Sequence, residues 1–252
     1  MNQLYKQSIA ELLGTFFITF IGAGAVCVDA FLQFSGQPSI GPLSIAVAQA
    51  LAVAIAITFT MNVSGGYCNP AVSFALLFTG RLEYKQTTYF VFAQFLGALL
   101  AGFFLTVIFG YAGNTVSTVA LGTPHCAERL KALFNRDMDL QLTAMATLIE
   151  LIMTFLLVLA IYGTAIDRRT PRVGGFGVGA AVLVIILVGA AFTGACMNPA
   201  RYLGTTVWEA GIQNDWSKIG DWYVYFIGPV LGAVLAAWIY SSYVLETPPE
   251  KV

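Results

Sequence analysis

Two Asn-Pro-Ala triplets, Asn69-Pro70-Ala71 and Asn198-Pro199-Ala200, are the residues of this chain best suited to handle a small polar molecule. An Asn amide both donates and accepts hydrogen bonds. Asn is also a favoured residue just before a helix, and Pro suits the first helical position, so each triplet reads as a helix start. The second triplet runs directly into Arg201, whose guanidinium is permanently charged and offers five donors in a rigid plane. Glu11 and Glu150 sit inside apolar stretches, where a carboxylate is costly unless something holds it. Asp29, the single histidine His125 and scattered Ser and Thr form no nucleophile-base set, so the chain is not read as an enzyme. Cys27, Cys68, Cys126 and Cys196 lie far apart without CxxC spacing and read as small buried side chains. No metal or other cofactor is expected.

The elements that position these groups are helices in a bilayer. Of 252 residues, 58% are hydrophobic and 10% charged, more apolar surface than a soluble core hides. A net charge of −1 gives no reason to expect nucleic acid as a partner. Six stretches are long enough to span, at about 7–33, 43–64, 86–109, 141–164, 174–193 and 221–245. The first is too long for a signal-peptide core, carries Glu11 near its start and shows no convincing cleavage site, so it reads as a retained span. Two further apolar pieces, Asn69 to Phe78 and Asn198 to about Trp208, are too short to cross. A half-length helix at membrane depth is tolerated only when buried in protein or lining a water-filled cavity. The fold class expected is all-α, with six spans and two re-entrant half-helices.

The chain repeats itself. Residues 11–16 (ELLGTF) match 150–155 (ELIMTF), 64–71 (SGGYCNPA) match 193–200 (TGACMNPA), and 94–101 (QFLGALLA) match 229–236 (PVLGAVLA). One channel domain over 1–252 is therefore read as repeat one (about 1–110), a connector (about 111–140) and repeat two (about 141–252). Each repeat holds three spans, an odd number, so the second copy enters the membrane inverted. Paired interrupted segments in inverted repeats point to a pathway at the repeat interface. Lys6, Arg81, Lys85, Arg168, Arg169, Arg172 and Lys251 fall on one side; Arg129, Lys131, Arg136 and Lys218 fall on the other. The richer side is expected to be cytoplasmic, with both termini there. Within the connector, 127–134 has the pattern of a short amphipathic helix. Two readings stand for the connector, a solvated link and a lid over the outer mouth.

Paired Asn-Pro-Ala motifs in inverted repeats, the second continuing to Arg201, resemble the major intrinsic protein family of aquaporins and aquaglyceroporins, and the resemblance runs from about Ile9 to Tyr240. It implies a passive homotetrameric channel, one pore per protomer, for water and small neutral solutes. Asn69 and Asn198 would bond a passing water oxygen where two half-helices meet by their positive N-termini, a field that repels cations. Carbonyls of Gly65, Gly66, Tyr67 and Cys68, and of Gly194, Ala195 and Cys196, would act as acceptors along the pore. Glu11 and Glu150 would anchor the re-entrant loops. A selectivity filter would fall on Gln49, Ile186, Ala195 and Arg201. This set is nearest to the tonoplast and aquaporin-8-like branch, where His usually holds the position of Gln49, and suggests ammonia or hydrogen peroxide beside water. The glycerol pattern is absent, because Ala195 is small and Tyr202 rather than Asp follows Arg201. Glycerol or urea conduction is the alternative within the family; a secondary transporter, also built from inverted repeats and broken helices, is the rival outside it. Tyr67 stands where most members have His. It either narrows the inner mouth or packs there with its hydroxyl wetted. Small residues at Gly97, Ala98, Ala101 and Gly102 permit close helix contact, which a tetramer needs.

Overall fold

The computed structural model describes residues 2–110, 120–171 and 173–245. Arg172 and Lys251 of the basic face, and connector residues 111–119, lie outside the described residues. Among the described residues nine α-helices follow one another: α1 (Gln3–Phe34), α2 (Gly41–Thr60), α3 (Pro70–Phe78), α4 (Tyr84–Gly110), α5 (Cys126–Phe134), α6 (Leu140–Ile161), α7 (Phe176–Thr193), α8 (Pro199–Gln213) and α9 (Trp222–Ile239). Six of them, α1, α2, α4, α6, α7 and α9, are long and apolar enough to cross a membrane, α6 and α9 with the short helical turns adjoining them. Large apolar side chains such as Leu43, Phe92, Val188 and Leu231 are exposed on the outside of the bundle, which only lipid or a neighbouring apolar surface can cover.

Glycine sets the closeness of the helices. A Cβ on Gly97 in α4 would lie 2.2 Å from the Leu12 carbonyl oxygen of α1. A Cβ on Gly232 in α9 would lie 2.1 Å from the Leu151 oxygen of α6. These are the matched glycines of the two QFLGALLA-like segments, doing the same job against the two ELxxTF segments. Gly102 meets the Gly204 backbone of α8 in the same way, and Ala98 is the neighbour that a Cβ on Gly204 would strike. Gly97, Ala98, Ala101 and Gly102 are all buried within the protomer. They serve packing inside one chain rather than between chains, a correction to the use expected of them.

The half-helices start where Asn-Pro-Ala predicts. Asn69 caps α3 by accepting from the Ala71 N–H at 2.9 Å, and Asn198 caps α8 by accepting from Ala200 and Arg201 at 3.0 and 3.3 Å. Pro70 and Pro199 occupy the first turn, where their missing N–H costs no bond. The second half-helix runs beyond Trp208 to Gln213 and is stopped by Asn214 in the left-handed region, φ 49°. The amphipathic pattern of the connector forms α5. The five residues before it are not a solvated link. Leu121 to His125 are all buried, with Leu121 packed against Ala23, Cys27, Leu105 and Phe109.

Candidate functional site

The site is assembled where α3 and α8 meet. The Asn69 Nδ2 donates to the Met197 carbonyl at 2.8 Å, and the Asn198 Nδ2 donates to the Cys68 carbonyl at 2.9 Å. Each half-helix is thus tied to the loop that leads into the other, N-terminus facing N-terminus. A helix N-terminus carries roughly half a positive charge, so two such ends aim at one small volume. Each Asn amide uses one N–H in the cross-bond and keeps a second.

The loops before the half-helices are held in a strained shape. Gly65, Gly66 and Cys68 have positive φ (103°, 68° and 51°), as do Gly194, Ala195 and Met197 (85°, 49° and 53°), at matching places in the two repeats. Cys68, Ala195 and Met197 are not glycines, so this backbone persists only if its surroundings compel it. The compulsion comes from two buried carboxylates. Glu11 accepts from the Ser64 hydroxyl (2.6 Å), the N–H groups of Tyr67 and Cys68 (3.0 and 2.6 Å) and the Gln94 amide (2.7 Å). Glu150 accepts from the Thr193 hydroxyl (2.7 Å) and the N–H groups of Cys196 and Met197 (3.0 and 2.8 Å). Both glutamates are fully buried, and these bonds replace the water that each carboxylate gave up. Ser64, Thr193 and Gln94 escape a sequence reading. The signal available for the first two was a hydroxyl five residues before each Asn.

Three cavities follow one another through the protomer by shared lining residues, named outer and inner after the orientation expected from the basic residues. An outer one of about 360 Å³ reaches Gln49, Ile186 and Arg201. A central one of about 60 Å³ begins at those same three side chains and Ala195, and passes Asn69 and Asn198. An inner one of about 170 Å³ shares Tyr67, Val72, Ile161 and Val178 with the centre. The small central volume suits a file of a few waters. Gln49, Ile186, Ala195 and Arg201 therefore come together at the outer neck, and Tyr67 stands at the inner one. Among the described residues, no protein donor reaches the carbonyls of Gly65, Gly66, Tyr67, Gly194, Ala195 or Cys196; Cys68 spends its carbonyl on Asn198.

Arg201 is buried, and its guanidinium is aimed by a residue the sequence did not single out. Its Nη2 donates to the Gly122 carbonyl at 2.7 Å, while Nη1 has no partner among the described residues. The outer cavity also meets Asp29 and Arg129. Asp29 accepts from Ser39 and from the N–H groups of Ile40 and Gly41, which fixes the turn between α1 and α2. Arg129 donates to the Ala190 carbonyl. Outside the spans, the hydrogen bond from Lys218 holds the Glu128 carboxyl below its ordinary range. At the other face, the bonds from Arg169 hold Asp167 well below the usual carboxylate range, and Tyr240 adds a second partner. The four cysteines are free and buried. No group of three or more metal-ligating side chains is present among the described residues.

The comparisons with known proteins agree with one another. The chain matches the family described as Major intrinsic protein over residues 1–240. It is 32% identical over 246 residues to Aquaporin A of Dictyostelium discoideum, covering 96% of this chain and 80% of that protein. It is 33% identical to the probable aquaporin TIP3-2 of Arabidopsis thaliana, covering 97% and 86%, and 34% identical to aquaporin NIP1-1 of Zea mays, covering 94% and 74%. Its fold superimposes on the X-ray structure of the aquaglyceroporin from Plasmodium falciparum with a TM-score of 0.81 at 22% identity, over 96% of this chain and 97% of that one. With six apolar spans and this match along almost its whole length, the chain belongs to the major intrinsic protein family, the aquaporins, and is a multi-pass membrane channel for water or small solutes.

Proposed function

We propose that this channel conducts water, and beside it small neutral solutes such as ammonia or hydrogen peroxide, through one pore in each protomer of a homotetramer with both termini in the cytoplasm. The observation that carries the solute reading is the outer neck. Arg201 borders it with a fixed positive charge, Gln49 adds an amide that donates and accepts, and Ile186 and Ala195 leave the rest of the ring apolar. A neutral molecule the size of water or ammonia exchanges its hydration for those donors and acceptors. A cation meets a fixed guanidinium and, further in, two helix N-termini.

Along the pore, the six carbonyls without protein donors act as acceptors in two files, and Asn69 and Asn198 hold the centre. A water oxygen accepting from both spare amide N–H groups turns its hydrogens toward the two exits, which breaks a proton wire. Glu11 and Glu150 act as loop anchors rather than as carriers of a transported proton, because their oxygens are occupied by three or four bonds each. That occupancy argues against the secondary-transporter reading, which needs a carboxylate free to load and unload. The orientation rests on Lys6, Arg81, Lys85, Arg168 and Arg169 sharing the face of the N-terminus.

The test is ammonia flux into proteoliposomes, read as internal alkalinisation, with glycerol and hydrogen peroxide run beside it. Ammonia entering well above the lipid background supports the reading. Ammonia at background with fast glycerol uptake would replace it with the glycerol alternative.

A further inference from the structure

One buried ionisable pair has no part in the pore chemistry described above. His125 Nε2 lies 2.8 and 3.0 Å from the two carboxyl oxygens of Glu209. Glu209 is fully buried and His125 nearly so. Glu209 stands two turns beyond Arg201 on α8, and its other bond is a weak one from Gln213 at 3.4 Å. A buried carboxylate needs a partner, and here the partner comes from a different element, 84 residues away in the chain.

That element is the strap 120–125, the same one whose Gly122 carbonyl receives the Arg201 guanidinium. The strap turns through three successive left-handed residues, Ala120, Leu121 and Gly122, at φ 46°, 45° and 64°. Two of these are not glycines, so the turn persists only if both its ends are held. Leu121 is held in its apolar pocket at one end. A Cβ on Gly122 would lie 2.5 Å from the Ala23 oxygen, so the strap backbone lies directly on α1 with no side chain between. At the other end the polar hold is the bond from His125 to Glu209.

We propose that His125 and Glu209 are positioning residues for the filter: their bond seats the strap so that the Gly122 carbonyl fixes Arg201 Nη2 and holds the guanidinium at the border of the neck. The proposal rests on the reading of Arg201 as a filter residue. With the bond cut, the strap lifts, the guanidinium gains freedom, and the outer neck discriminates less sharply against solutes larger than water.

The test compares urea and water permeability in proteoliposomes for wild type, His125→Ala, His125→Gln, Arg201→Val and the double variant His125→Ala/Arg201→Val. Gln at 125 carries an amide near the place of the imidazole Nε2. Losing one buried hydrogen bond of ordinary strength corresponds to about a 2- to 10-fold change. The urea-to-water ratio is expected to rise by that factor in His125→Ala, to return to wild type in His125→Gln, and to be no higher in the double variant than in Arg201→Val alone. An unchanged ratio in His125→Ala, or a full additional rise in the double variant, overturns the proposal while leaving the filter reading in place. No effect of Arg201→Val itself overturns both. If His125→Ala does not yield folded protein, His125→Asn, whose amide falls short of Glu209, takes its place in every comparison.

Discussion

Asn198 carries two separable duties, and three variants pull them apart. Its Oδ1 caps α8 by accepting from Ala200 and Arg201, and its Nδ2 crosses to the Cys68 carbonyl. Asn198→Ala removes both. A lost cap costs about 1 kcal/mol, and a buried carbonyl left without its donor costs about 1–3 kcal/mol. The total is about 2–4 kcal/mol, or on the order of 5–15 °C in an unfolding midpoint for a chain of this size. Asn198→Ser keeps a hydroxyl that caps well but is too short to reach Cys68. Ala and Ser are close in volume, so the void each leaves nearly cancels between them. Thermal unfolding in detergent should therefore order the proteins wild type, Asn198→Ser, Asn198→Ala, with the smaller gap between the two variants. A serine variant as stable as wild type would refute the contribution of the cross-bond. Serine and alanine variants of equal stability would refute the cap.

Three further outcomes follow from the same geometry. Glu150→Ala leaves the Cys196 and Met197 N–H groups buried without acceptors, at about 1–3 kcal/mol each, so folded yield by size exclusion should fall sharply; yield equal to wild type contradicts the anchoring role. Tyr67→Ala should merge the central and inner cavities and raise water flux, whereas flux unchanged at matched protein density means the narrowest point lies elsewhere. Asp167, with its carboxyl held below its unfolded range by Arg169, contributes stability that is full above the unfolded value and is lost only as pH falls through the depressed one. The ratio of tryptic cleavage at Arg168 in Asp167→Asn to that in wild type, taken at each pH, should accordingly stay above one and flat from pH 5 to 8; a ratio that falls toward one at pH 5 would contradict the assignment.

What the sequence disclosed and what it hid divide along a physical line. Local signals were readable: apolar length marks a span, and Asn followed by Pro marks a half-helix start. Internal repetition was readable too, and the structure adds the pairing: the glycine shared by residues 94–101 and 229–236 meets the backbone of the other matched segment in both halves. Contacts between distant parts of the chain were not readable. The apolar piece that begins at Asn198 reads to about Trp208, whereas the structure continues the helix to Gln213 and buries Glu209 against a histidine from the connector. Gly122 was invisible for the same reason, because its function lies in a backbone carbonyl and any residue has one. The small residues at Gly97 and Gly102 signalled close approach without saying to what.

The central claim is that solutes cross this protein through the neck that Arg201 borders. The most direct measurement is stopped-flow shrinkage of proteoliposomes under an impermeant osmolyte, wild type beside Arg201→Trp. The account predicts fast shrinkage with a low activation energy in wild type, and a fall to the rate of empty vesicles in the variant, whose indole fills the neck. Equal shrinkage by folded wild type and folded Arg201→Trp would contradict it, since water would then be taking a path that does not pass Arg201.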